Sequence, residues 1–139
     1  MNNRRTFLKK AAATIGLAGL VSHSLKAQQP MKPLSNILIH HVYFWLKSPE
    51  DKEAREQFER ALKKLVTIDE IRDYHIGVPA STEERDVVDH SYSYSLMVIF
   101  KNKQDQDIYQ KHPTHLEFVE QNEHLWGRVK VYDSVDINN

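Results

Sequence analysis

One stretch constrains the fold more than any other. Ile37 to Lys47 (ILIHHVYFWLK) is dense in β-branched and aromatic residues, the composition of a strand. Side chains alternate across a strand, and here both faces carry bulk: His40, Val42, Phe44 and Leu46 on one, His41, Tyr43 and Trp45 on the other. Such a strand has to be covered on both sides. With 139 residues and 40% hydrophobic content, the chain has room for one domain with a modest core to do so.

The elements around this strand are readable from period and punctuation. Ser48-Pro49-Glu50-Asp51 reads as a cap, a proline at the first helical position and acids in the first turn, which predicts a helix from Pro49 to Val66. Ala54, Phe58, Ala61, Leu62 and Leu65 form its single apolar stripe. Arg72 to Val78 reads as a second strand stopped by Pro79, and Ala80 to His90 as a polar loop. Ser91 to Phe100 alternates, with Tyr92, Tyr94, Leu96, Val98 and Phe100 opposite Ser91, Ser93, Ser95, Met97 and Ile99. Gln104 to Lys111 is a short helical segment that Pro113 interrupts. A longer helix is expected from Pro113 to Trp126, ended by Gly127, and Val129 to Ile137 closes the chain as a fourth strand. The order βαββαβ implies an α+β, ferredoxin-like fold: a four-stranded antiparallel sheet with both helices on one face. The other face would leave His41, Tyr43, Trp45, Met97 and Ile99 in water, so a homodimer joined through that sheet face is expected.

Charge and cysteine content exclude whole classes of function. Five of the 19 basic residues (Arg4, Arg5, Lys9, Lys10, Lys26) lie in the first 27 positions, which contain no acid, so the remainder sets 14 basic against 19 acidic residues, a net of −5. A mildly acidic body argues against a nucleic-acid or anionic-membrane partner. The absence of cysteine excludes disulfides, iron–sulfur clusters, thiol nucleophiles and Cys-based zinc sites. In residues 1–27, Asn3-Arg4-Arg5-Thr6-Phe7-Leu8-Lys9-Lys10 precedes the apolar run Ala11 to Val21. As a helix that run rises only about 16 Å against the roughly 30 Å hydrocarbon core, which suits an export signal and not a membrane span. The paired arginines followed by Thr-Phe-Leu-Lys resemble the twin-arginine (Tat) signal. The resemblance implies passage through the Tat translocase as a folded protein, to the periplasm or beyond, with a membrane tether if the signal is retained. Residues 28–36, with Pro30 and Pro33, read as a linker to a domain at 37–137.

Tyr109-Gln110-Lys111-His112-Pro113-Thr114-His115-Leu116-Glu117-Phe118, with the His40 to Lys47 and Tyr94 to Phe100 segments, resembles the stress-responsive A/B barrel (Dabb) family over nearly all of Ile37 to Ile137. The resemblance implies a dimeric α+β barrel. One branch, the plant polyketide cyclases of the olivetolic acid type, closes a ring by aldol condensation with a tyrosine and the second histidine of this motif and no cofactor. The matching positions are Tyr109 and His115, with His40 in the same pocket, while Tyr94 stands where that branch has a further histidine.

The residues themselves support this chemistry. His115 is third in a helix opened by Pro113, close to the positive end of its dipole, which disfavours the imidazolium and suits a neutral general base. Tyr109 is placed to orient that ring or to hydrogen-bond an enolate oxygen. Val42, Phe44, Phe58, Leu62, Tyr94 and Phe118 are the expected walls of the small-molecule pocket. His112 reads as a helix cap, and no His, Asp and Glu spacing reads as a metal site, so neither metal nor cofactor is expected. The functional expectation is cofactor-independent acid/base chemistry of the cyclase or lyase type on an unidentified small molecule. A non-catalytic dimeric ligand-binding or stress protein is the alternative, and a haem or other oxidative role is a second one, by fold analogy alone.

Overall fold

Leu38–Leu46 forms β1, and its burial alternates as the pattern requires: Leu38, His40, Val42, Phe44 and Leu46 are buried and the residues between them half-buried. The computed structural model describes residues 31–137; the export signal read at residues 1–27 lies outside the described residues. After β1 come α1 (Lys52–Leu65), β2 (Asp73–Gly77), β3 (Tyr94–Phe100), α2 (Lys103–Lys111), α3 (Pro113–Asn122), a 3₁₀ turn (Glu123–Leu125) and β4 (Trp126–Val135). The strands pair antiparallel in the order β2-β3-β1-β4, so the doubly bulky strand lies inside the sheet, as does β3. This is the ferredoxin-like α+β fold expected from the element order.

α1 lays Phe58 edge-on against Phe44 at 5.0 Å and beside Tyr94 at 5.3 Å. Phe58, Leu62, Leu65, Leu96, Val98 and Phe100 are all essentially without solvent contact and form the centre of the core. No helix among the described residues is long and apolar enough to cross a membrane.

Several boundaries differ from the sequence expectation, and the larger shifts have local reasons. α1 starts at Lys52 because Asp51, not Ser48, is its cap: its carboxylate accepts the N–H groups of Glu53 and Ala54 at 2.9 and 3.4 Å, while Ser48 closes the preceding turn through its carbonyl. α3 stops at Asn122, whose side-chain amide donates back to the Phe118 carbonyl at 2.9 Å before the chain tightens into the 3₁₀ turn. Gly127 therefore ends no helix. It lies inside β4, where Trp126 is already paired with Leu46 across a bulge. Tyr92 leaves its expected face because pairing of β3 with β1 begins only at Tyr94, and it sits edge-on to Tyr43 at 5.0 Å on the side away from the helices.

That second face is less bare than the alternation suggests. His41 stacks on Tyr43 at 4.4 Å, Tyr132 closes on Tyr43 at 6.0 Å, and the Arg128 guanidinium lies 4.1 Å over the Trp45 ring. Ile99 is buried, and His41, Tyr43, Trp45 and Met97 are half-buried, whereas Tyr132 remains 58% exposed.

Candidate functional site

Three elements bring one ring each to a single place. His40 enters from β1 on the helix-facing side, where strand alternation puts it, and is buried. Tyr109 enters from the last turn of α2 and is equally buried. The chain then turns at His112-Pro113. The His112 N–H donates to the Tyr109 carbonyl at 3.1 Å, and its Nδ1 accepts the Thr114 N–H at 3.1 Å, so His112 ends α2 and caps α3 with one residue. This turn sets His115 beside Tyr109, with ring centroids 4.7 Å apart; Tyr109 in turn meets His40 edge-on at 5.9 Å.

A fourth residue joins them from β4. Asp133 lies directly across the β1–β4 ladder from His40, and its Oδ1 is 2.6 Å from His40 Nδ1. A carboxylate accepts and does not donate, so the shared proton sits on Nδ1, and Nε2 remains the ring's free acceptor whenever the imidazole is neutral.

The three rings line one cavity of about 290 Å³ beneath α3, near the small end of the range for ligand sites. Val42, Phe44, Leu65, Leu96, Phe118, Val119, Trp126, Val129 and Val131 supply its apolar wall, Gln110 its amide and Glu123 an acid. Burial disfavours charge here. It lowers the pKa of His115 below 6.5, nearby His40 adding to the effect and the Gln110 backbone opposing it, so the ring is neutral at pH 7. Burial is the largest cause, in the same direction as the helix end read from sequence. Burial alone raises the Tyr109 phenol well above its ordinary 10.0, which keeps it protonated. Nδ1 of His115 is buried without a hydrogen-bond partner, a cost seldom left unexplained in a native site. Among the described residues no group of three or more His, Asp or Glu is placed to hold a metal ion.

The structure thus brings together His115, Tyr109 and His40, with Val42, Phe44 and Phe118 around them. It does not bring Phe58, Leu62 and Tyr94 there. Phe58 and Leu62 fill the solid core under α1, and the Tyr94 hydroxyl donates to Glu59 at 2.6 Å beneath Arg55. Asp133, Gln110, Glu123, Trp126 and the β4 valines were not identified from sequence as parts of the site.

Comparison with known proteins finds relatives in family and in fold. A family model for the Stress responsive A/B Barrel Domain matches residues 38–136. Among solved structures, a Dabb family protein with a ferredoxin-like fold from Mesorhizobium loti is similar with a TM-score of 0.60 at 20% identity, over 73% of this chain and 97% of that one. The hydroxynitrile lyase of Passiflora edulis is similar with a TM-score of 0.62 at 17% identity, over 77% and 98%. A dimeric ferredoxin-like protein of unknown function from Thermobifida fusca is similar with a TM-score of 0.59 at 18% identity, over 72% and 91%. Comparison with curated proteins gives no match.

Proposed function

The chain belongs to the stress responsive A/B barrel domain family, and on that footing we propose that it holds a small carbonyl compound under α3 and moves protons on it without a cofactor, in chemistry of the aldol or lyase type. The observation that carries the reading is the convergence of His40, Tyr109 and His115 on one apolar cavity. In the proposed step the neutral His115 imidazole removes a proton from the carbon next to the carbonyl. The electron pair of that C–H bond moves towards oxygen, and the Tyr109 phenol, held protonated, donates a hydrogen bond to the enolate oxygen. The enolate carbon then attacks a second carbonyl carbon, the π pair of that C=O moves to its oxygen, and the His115 imidazolium returns its proton to the alkoxide; the same groups run the reverse cleavage. Asp133 fixes the tautomer of His40, which serves as the second acceptor. The fold shared with a hydroxynitrile lyase supports the lyase direction by analogy.

The test needs no knowledge of the natural substrate. Acetophenone is incubated with the protein in D₂O, and loss of its methyl proton signal is followed by NMR. The wild type should exchange these protons faster than buffer, and His115→Ala should lose about 10²- to 10⁴-fold of that acceleration. Tyr109→Phe should slow exchange while leaving the fold intact, and Asp133→Asn should slow it less than His115→Ala. Exchange no faster than buffer sinks the acid/base reading.

Export by the Tat translocase and homodimerisation through the sheet face complete the proposal. The first is supported by Arg4-Arg5 and the apolar run after them; if it holds, lysine at both positions keeps the protein in the cytoplasmic fraction of a bacterial host. The second is supported by the aromatic face and by a dimeric structural relative.

A further inference from the structure

We infer that the cavity under α3 selects an uncharged carbonyl compound with an apolar body and rejects the carboxylate of the same shape, with Glu123 at the rim as a specificity-determining residue. The inference rests on the proposed site and names its ligand class.

A carboxylate in this cavity would find no cationic partner. None of the lining residues is Lys or Arg, and a carboxylate withdrawn from water needs such a group or a set of free N–H donors. The usual substitute, the first turn of a helix, is taken. Pro113 has no N–H, Thr114 N–H is held by His112 Nδ1 at 3.1 Å, and the N–H groups of His115 and Leu116 both donate to the His112 carbonyl, at 2.9 and 3.1 Å. His40, which lines the cavity, does not help either: its ring is held at 2.6 Å by the Asp133 carboxylate, whose negative charge offsets any positive charge on the imidazole.

Repulsion comes from the rim. Glu123 lines the cavity and is exposed, at the head of the 3₁₀ turn that joins α3 to β4. An incoming carboxylate meets this acid before it reaches the rings, whereas a neutral ligand does not.

The interior is complementary to something uncharged. Phe118 and Trp126 are stacked, 5.7 Å apart at 19°, and Phe44 stands 5.4 Å from Trp126 at 60°, an apolar aromatic wall. Across from it the phenol of Tyr109 is one neutral donor. A single carbonyl oxygen or hydroxyl can accept from it.

Acetophenone and benzoate are a suitable probe pair, since they share ring and carbonyl and differ mainly in a methyl group replaced by a charged oxygen. Each is titrated at pH 7.5 into the full-length wild type and Glu123→Lys, with the backbone amide signals of Gln110, His115 and Trp126 followed by NMR. Acetophenone should move these signals, and benzoate should bind roughly tenfold or more weakly. Glu123→Lys should narrow that gap several-fold. Benzoate binding as tightly as acetophenone in the wild type overturns the selectivity while the pocket stands. An unchanged ratio in Glu123→Lys overturns the role of Glu123. Binding of neither probe overturns the pocket itself, and acetophenone binding without proton exchange overturns only the acid/base chemistry.

Discussion

His40 and Asp133 show what a single residue position carries and what it hides. Val129, Val131, Asp133 and Val135 share one face of β4, and Asp133 is the acid among the valines. That interruption was visible in the sequence. Its meaning was not, because the partner is set by register between β1 and β4, which no single strand encodes. His115 and Tyr109 were legible through their motif and are placed together as expected, while burial, the largest cause of the neutral imidazole, was not. The lowered pKa has a measurable consequence. With its folded pKa below 6.5, His115 takes up a proton more readily when unfolded, so stability is intact above pH 6.5 and is lost as pH falls through the folded value. Tyr109, its folded pKa raised, contributes stability that is present below pH 10.0 and lost as pH rises beyond it. Tyr94, pushed up to about 12 by burial and its bond to Glu59, acts in the same direction. Denaturant unfolding should therefore show a plateau between about pH 6.5 and 10. His115→Gln should flatten the acid limb and Tyr109→Phe the alkaline one; an acid limb of unchanged slope in His115→Gln would place its origin in other groups.

At the scale of elements, patterns were more legible than their ends. The period-two alternation of β1 and β3 and the apolar stripe of α1 identified every core strand and the core helix, because burial of one face follows directly from spacing. Boundaries were decided by hydrogen bonds between near neighbours in competition. Ser48 and Asp51 are both good caps, and Asp51 prevails because its carboxylate captures two N–H groups at once, an arrangement that contributes about 1 kcal/mol. Gly127 suggested a helix end by its identity alone, yet strand pairing claimed it, and its φ is not positive. Which part of the interior stays empty was the least legible property. Phe58, Leu62 and Phe118 all lie on helix stripes facing the sheet, and periodicity cannot say that α1 packs solidly on Phe44 and Tyr94 while α3 stands off over His40 and the β4 valines. The cavity exists because β4 is an edge strand, whose Val129 and Val131 remain 44% and 45% exposed.

For the whole molecule the open question is the second face of the sheet. The chain shields much of it with its own aromatic cluster, so burial of His41 and Tyr43 is not by itself a reason to dimerise. Tyr132 is the better reporter. It pairs with His41 across the ladder, so its ring lies on the face away from the helices, and it is 58% exposed. A substitution there removes little intrachain packing, yet a carboxylate at the centre of a sheet-to-sheet contact would be desolvated without a partner. Leu116 on α3 is the matched control, 56% exposed on the helical side. Sedimentation equilibrium of the wild type should give twice the 16.3 kDa chain mass. Tyr132→Glu should give the single-chain mass with a nearly unchanged melting temperature, and Leu116→Glu should remain paired. If Leu116→Glu dissociates and Tyr132→Glu does not, the contact runs through the helices, close to the mouth of the cavity, and ligand entry becomes dependent on assembly. If all three sediment as single chains, the aromatic cluster is complete in itself and the sheet face has no partner in another copy.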